Sequence, residues 1–247
     1  MDWNAGLYED KHGFVAEYGK GLLEFVPPDR QQAILDLGCG TGTLTSELAA
    51  RAGEVIGLDA SPDMVTAARE RFPGIRFFTG DALDLPFENR FDVVFSNAVF
   101  HWLPDHDLLL KNIRRALKPG GRLVCEFGAK GNIAAVENAF ARACAEQGLR
   151  YKSRFTFPEA EAFAQLLADN HFTCELVVAY DRPTVLRDGE AGLRNWLRQF
   201  FAAELEALPE SSQAALLTRV EELARPRLWN GEAWVADYRR LRVVAHI

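Results

Sequence analysis

No two of the four cysteines stand close together. Cys39, Cys125, Cys144 and Cys174 form no Cys-x-x-Cys pair and have no histidine pair at ligand spacing beside them, which argues against both a disulfide framework and a metal site. No apolar stretch is long enough to cross a bilayer, and the opening residues "MDWNAGLYEDKHGF" carry acids without an apolar export region. These absences predict a cytoplasmic protein with no membrane partner. Runs of one charge sign are missing too. The formal net charge of −7 is spread over 247 residues, so no basic surface for nucleic acid is expected. With neither repeats nor low-complexity tracts, and with 48% hydrophobic and 26% charged residues, the chain reads as one globular domain with one sizeable core.

What is present begins at residue 33 as an alternation of β-like and helical segments: "AILDLGC", "LTSELAARA", "EVIGLDA", "SPDMVTAARERF", "IRFFTGD", "FDVVFSN", a helix near Asp105 to Lys118, and "RLVCEFG". Strand and helix in turn predict βαβ units and a parallel sheet covered on both faces. Ser61 before Pro62 is a helix start, and Leu109, Ile113 and Leu117 form a buried stripe that "KPGG" at Lys118 to Gly121 should end. A helix over about Asn132 to Gln147 follows, then β character in "CELVVAYDRPTVL" and in the final "ADYRRLRVVAHI". Between these, Leu193, Trp196, Leu197 and Phe200 keep helical spacing, as do Leu216, Val220 and Leu223. The predicted organisation is a lid over 1–30, a core over 31–186 and 236–247, and an inserted helical cap over 187–235.

"DLGCGTGTL", Asp36 to Leu44, sets three glycines at alternate positions behind an apolar run, a loop type that presses a nucleotide-like ligand against bare backbone. A triphosphate loop needs a lysine behind its last glycine, and Gly42 is followed by Thr43 and Leu44. A dinucleotide loop needs Gly-x-Gly-x-x-Gly, whereas the spacing here is Gly38-x-Gly40-x-Gly42; an NAD(P)-dependent oxidoreductase is weakened and kept as an alternative. S-adenosylmethionine carries no phosphate and a cationic sulfonium, so Asp36 beside it is helpful. Asp59 and Asp81 then fall at the ends of the next two strands, placed for the ribose hydroxyls and the adenine amino group, with Ala82 beside the latter.

The ordered set "DLGCGTG", "GLDASPDM", "GDALDLPF", "FDVVFSNAVFHW" and "LKPGGRL" resembles the class I S-adenosylmethionine-dependent methyltransferases of the type 11 group, over roughly residues 30 to 128. The resemblance implies a Rossmann-like α/β fold: a seven-stranded, mostly parallel sheet with an antiparallel last strand, helices on both faces and a helical cap. It implies that Gly38, Gly40 and Gly42 bear on the methionine half, Asp59 on the ribose, and Asp81 and Ala82 on the adenine, with Ala60 also among the cofactor-binding residues. Met64 would pack on the adenine ring and Asn97 would present backbone near the sulfonium. Each also has a plain structural reading: a glycine can serve only a tight turn, and a methionine can simply fill a core gap. The N-terminal "WNAGLYEDKHGFV" and the late helices resemble the subset typified by trans-aconitate 2-methyltransferase, which implies a lid carrying Tyr8 and places Trp196 beside an acceptor pocket.

Methyl transfer from a sulfonium is an in-line displacement in which positioning matters most and a carboxylate acceptor needs no base. A hydroxyl or amine acceptor would profit from one, and His12 and His101 are the candidates. Trp3, Tyr8, Trp102 and Trp196 could wall an apolar pocket, and Arg194 with Arg198 could clamp a carboxylate. The expected protein therefore methylates a small molecule on a carboxylate or hydroxyl oxygen, without metal or nucleic acid, as a monomer or homodimer. A protein that binds S-adenosylmethionine and acts on a macromolecule is the remaining alternative.

Overall fold

The computed structural model of the chain describes residues 19–247; Trp3, Tyr8 and His12 lie outside the described residues. β1 (Asp29–Leu37), α1 (Thr43–Ala49), β2 (Ala52–Asp59), α2 (Pro62–Arg71), β3 (Arg76–Thr79), β4 (Phe91–Asn97), α3 (His106–Ala116) and β5 (Leu117–Gly128) follow the alternation read from the sequence. α4 (Ala134–Glu146), α5 (Ala160–Asp169), β6 (Thr173–Asp181) and β7 (Thr184–Val185) come next. α6 (Gly192–Phe200), α7 (Ala202–Glu206), α8 (Glu210–Leu228), β8 (Val235–Ala236) and β9 (Arg239–His246) complete the chain.

Seven strands form one sheet in the order β3-β2-β1-β4-β5-β9-β6. β3, β2, β1, β4 and β5 are mutually parallel. β9 runs antiparallel to β5: Ile247, just past its end, donates to the Gly121 carbonyl near the start of β5, while Arg242 reaches Glu126 near the finish. The reason for a parallel sheet is visible in β1, where Ile34 enters one apolar cluster with Val55, Phe95 and Val124 while Leu35 and Leu37 enter another with Ile56, Phe100 and Ile113. Successive side chains point to opposite faces, so the consecutive buried residues at the end of β1 must be covered on both. Because the chain leaves β1 to one side and later returns to β4 on the other, the strand order reverses between them. The crevice beyond the carboxyl ends of β1 and β4 is where such sheets take ligands.

Local signals set the helix boundaries. The Ser61 hydroxyl accepts the Met64 N–H (3.4 Å) with Pro62 as the first residue of α2, and Asp105 caps α3 by accepting the Leu108 N–H (2.9 Å). One expectation is corrected: α3 stops at Ala116, and Leu117 already pairs with Phe91 as the first residue of β5. "KPGG" therefore lies in the strand, where the register shifts before Val93 meets Arg122. Pro119 lacks an N–H and Gly120 sits at φ +75°, so this stretch bulges out of the ladder before pairing resumes.

The chain divides into two compact units. The first contains the described residues up to Ala129 with Phe155–Ala179 and Leu241–Ile247; the second contains Lys130–Arg154 and Tyr180–Arg240. The helical unit is thus larger than the 187–235 insert expected from the sequence, because it also takes in α4. Its centre is aromatic: Trp196 packs on Phe200 (ring centroids 4.7 Å apart) and Phe140 on Phe201 (4.6 Å). Among the described residues no helix is long and apolar enough to cross a membrane.

Candidate active site

At the carboxyl end of β1, the N–H groups of Gly38 and Cys39 both donate to the Leu58 carbonyl of β2, at 2.7 and 3.1 Å, so the glycine loop is anchored from its first residues. Its three glycines answer different demands. Gly38 has φ +77°, and a Cβ there would lie 2.1 Å from Val99 Cγ2: the loop after β4 presses directly on bare backbone. A Cβ on Gly42 would meet the Phe77 ring at 2.8 Å, so this glycine admits a core aromatic. Gly40, at φ +53°, would meet nothing within 4 Å and alone faces open space.

Two carboxylates lie near the loop. Asp59, at the end of β2, accepts the Gly40 N–H on Oδ2 and the Ser61 N–H on Oδ1, each at 2.9 Å. Its pKa is raised by burial, which outweighs those backbone bonds. Asp36 is 2% exposed and accepts the Thr45 hydroxyl at 2.6 Å. Burial, partly offset by that bond and reinforced by the charge of Asp59, pushes its pKa up to about 7. Among the described residues neither carboxylate has a basic partner.

A pyrophosphate would bring further negative charge against this pair. A ligand with a cationic centre and a vicinal diol relieves it, since the cation offsets the uncompensated charge and the diol donates to a carboxylate already oriented by two backbone bonds. The residues therefore fit S-adenosylmethionine: Asp59 to hold the ribose hydroxyls and the bare backbone at Gly40 to admit close approach.

The loop after β4 closes the other side of the crevice. Ala98 adopts φ +62° and donates to the Glu126 carbonyl (2.7 Å), which ties the loop to β5. His101 is 7% exposed; its Nδ1 accepts the Gly128 N–H (3.2 Å) and its carbonyl accepts the Thr156 N–H (2.9 Å). Around its ring stand Trp102, Phe157 and Phe155, with centroids 5.3, 5.8 and 6.4 Å away, and Phe155 stacks on Phe157.

The structure joins Gly40 to Asp59 directly and sets Asp36 near enough to Asp59 for their charges to interact. Asp81 stands just beyond β3, where Gly80 donates to the Asp59 carbonyl (3.0 Å), and its own Oδ1 accepts the Leu83 N–H (2.9 Å). Ala82 is buried beside it and Ala60 is exposed. Met64 is buried in α2, and Asn97 ends β4 opposite Glu126. Trp196 belongs to the helical unit, 3% exposed, its Nε1 donating to the Tyr238 hydroxyl (2.7 Å). The guanidinium of Arg194 bonds both carboxylate oxygens of Glu221 (2.9 and 2.6 Å), so its charge is engaged within that unit.

Sequence reading missed Thr45, Ser61 as a backbone donor, Gly128, Phe155 and Phe157. The alternating aromatics of "RFTFP" were the one available signal, and they sit in a stretch with no helical or strand period. The others act through bonds that spacing does not reveal.

Comparison with known proteins identifies the family. A family model described as a methyltransferase domain matches residues 35–125. The Schizosaccharomyces pombe protein named Uncharacterized methyltransferase C70.08c is 32% identical over 259 residues, covering 99% of this chain and 97% of its own. The trans-aconitate 2-methyltransferase of Rhizobium meliloti is 31% identical over 265 residues, covering 99% and 98%. Among solved structures, the geranyl diphosphate C-methyltransferase of Streptomyces coelicolor, determined with S-adenosyl-L-homocysteine, shares the fold with a TM-score of 0.57 at 16% identity, over 94% of this chain and 78% of that one. With a full-length relationship of this kind and a glycine loop flanked by acids suited to a sulfonium cofactor, the chain belongs to the class I S-adenosylmethionine-dependent methyltransferases.

Proposed function

We propose that the protein methylates an oxygen of a small-molecule acceptor, a carboxylate in the first instance. The observation that carries this reading is the end-to-end similarity to the Rhizobium meliloti protein named trans-aconitate 2-methyltransferase. The acidic chain, with net charge −7 and no basic run, supports a small acceptor over a nucleic acid.

In this reading Asp59 and Ala60 hold the ribose, Asp81, Ala82 and Met64 border the adenine, and Asp36, the glycine loop and Asn97 surround the methionyl half. When bound, S-adenosylmethionine supplies an electrophilic methyl group on sulfonium, and the electron pair of the broken bond stays on sulfur. The chain's own contribution is to fix the acceptor in line and keep water out, which can supply about 7 to 11 kcal/mol in favourable cases. Trp102, Phe155 and Phe157, half-buried beside the loop after β4, are the groups placed to exclude water in the first unit. Labelled methyl transfer into panels of small carboxylic acids, alcohols, RNA and protein tests the proposal. Label is expected in a base-labile ester of a small acid; label confined to RNA or protein would sink it.

Asp36 gives this cofactor site a pH dependence of defined sign. A bound cation favours the ionised carboxylate, so affinity for S-adenosylmethionine should rise as pH is raised through about 7, with a proton released on binding below that point. The empty protein behaves oppositely. Its folded carboxyl keeps a proton that the unfolded chain sheds at about 3.9, so Asp36 costs stability as pH rises from there to about 7. Calorimetry in two buffers of different ionisation heat checks the proton release, and Asp36→Asn should flatten the pH dependence.

A further inference from the structure

We propose that Glu126 and Arg242 are positioning residues for the cofactor site: their buried ion pair fixes the loop after β4 against the short helical turn Lys20–Phe25. The proposal rests on the reading above that this loop borders the methionyl half of S-adenosylmethionine. Its own basis begins with two charged residues on an apolar face. Alternate residues of a strand share a face, so Glu126 of β5 stands beside Val124, and Arg242 of β9 beside Val244. Both valines belong to the apolar cluster that Leu22, Leu23 and Val26 complete. Glu126, 1% exposed, is therefore a carboxylate at the border of that cluster and requires a cation. Arg242 on the neighbouring strand supplies it, with Nε and Nη2 each 2.7 Å from the same carboxylate oxygen.

The two residues reach the site by opposite routes. Glu126 faces Asn97 in register, and its carbonyl accepts the Ala98 N–H at 2.7 Å, so it holds the loop where β4 ends. Arg242 reaches the other way. Its guanidinium lies over the Phe25 ring, 5.4 Å from the centroid, and its Nη2 is 3.8 Å from the place a Cβ on Gly21 would take. The turn itself returns to β4. A Cβ on Gly19 would lie 3.0 Å from Asn97 Nδ2 and 2.5 Å from Leu44 Cδ1, so bare backbone packs on the end of β4 and on α1, the helix behind the glycine loop. Turn, Asn97, Glu126 and Arg242 thus close a ring of contacts within the first unit. An ion pair buried in this way adds little net stability over apolar side chains of similar volume, because both charges give up water. What apolar side chains lack is direction. Two N–H groups converging on one oxygen fix where β9 and the turn stand relative to Glu126, and through its backbone relative to Asn97 and Ala98.

An apolar pair separates positioning from stability. Glu126→Leu combined with Arg242→Met should unfold at a denaturant midpoint equal to or above the parent's, while affinity for S-adenosylhomocysteine falls by about tenfold or more. Arg242→Lys keeps the charge and gives up the converging bonds; it should stay folded and lose affinity by about fivefold. A merely structural pair predicts instead that affinity follows stability. Affinity within about twofold of the parent in both folded variants would overturn the proposal, as would a loss of affinity confined to a variant with a lowered midpoint. If the apolar pair does not fold, Arg242→Lys alone decides by the same limits. Asp59→Ala, on the other side of the crevice, reports the cofactor site independently. Should it weaken binding while the Glu126 and Arg242 variants do not, only the positioning role fails. Should it be silent while they weaken binding, the ribose assignment fails and the positioning role stands; if all are silent, both fall.

Discussion

Asp59→Ala is expected to weaken S-adenosylmethionine binding by about a hundredfold or more while the chain stays folded. Hydrogen bonds to a charged group contribute about 1.5 to 3 kcal/mol each, and a carboxylate facing a ribose can accept two. In this protein the effect is compounded, because the same carboxylate accepts the N–H groups of Gly40 and Ser61 and so holds the open side of the glycine loop at its correct height. In the proposed site, removing it deletes the acceptors assigned to the ribose and also frees the Gly40 and Ser61 N–H groups. The fold should survive, since Asp59 ends β2 half-buried, outside the two apolar clusters that cover the sheet. Titration calorimetry on a variant with unchanged circular dichroism is the measurement. An affinity within about threefold of the parent would mean that the ribose lies elsewhere.

Gly38→Ala should be the most damaging single methyl in the loop. The new Cβ would sit 2.1 Å from Val99 Cγ2, and the residue would have to hold φ +77°, which L side chains adopt only at a cost. Left-handed backbone contributes about 1 to 2 kcal/mol and overpacking about 1 to 3 kcal/mol, so a loss of about 2 to 5 kcal/mol in unfolding free energy is expected. Val99→Ala made on top of Gly38→Ala should recover the overpacking part alone. Gly40→Ala supplies the contrast. It shares the positive φ but meets nothing within 4 Å, so its stability loss should be confined to the backbone contribution, while cofactor affinity should fall because the methyl group would enter the space that the proposed site assigns to the ligand. Denaturant unfolding of the four chains, with cofactor titration of each, reads both quantities. Equal stability losses for Gly38→Ala and Gly40→Ala would show that the contact with Val99 yields without cost.

Together these variants separate what was written in the chain from what folding added. The parallel core was legible because its signals are local. An apolar run such as "AILDL" has only one way to bury both faces, and Ser61-Pro62 and Asp105 state where helices begin whatever lies around them. Where the local signal was mixed, the reading slipped: Leu117 fits the helical stripe of α3 equally well, and only its pairing with Phe91 makes it a strand residue. The extent of the helical unit could not be read either, because the membership of α4 depends on packing between segments far apart in sequence.

The sequence by itself determined the methyl donor. Glycine spacing, the missing lysine and acids at successive strand ends are all features of residue type and order: the missing lysine excludes a triphosphate loop, the spacing weakens a dinucleotide one, and the acids favour a cationic ligand. It also determined the fold class, since hydrophobic period and cap residues act within a few positions of themselves. Only the tertiary structure divided the labour among Gly38, Gly40 and Gly42, because that depends on which side chain arrives opposite each Cα. It alone decided which group meets Nδ1 of His101: the Gly128 N–H, a backbone group 27 residues away. Ionisation and tautomer follow from neighbours in space, and those neighbours come together only when the sheet has closed.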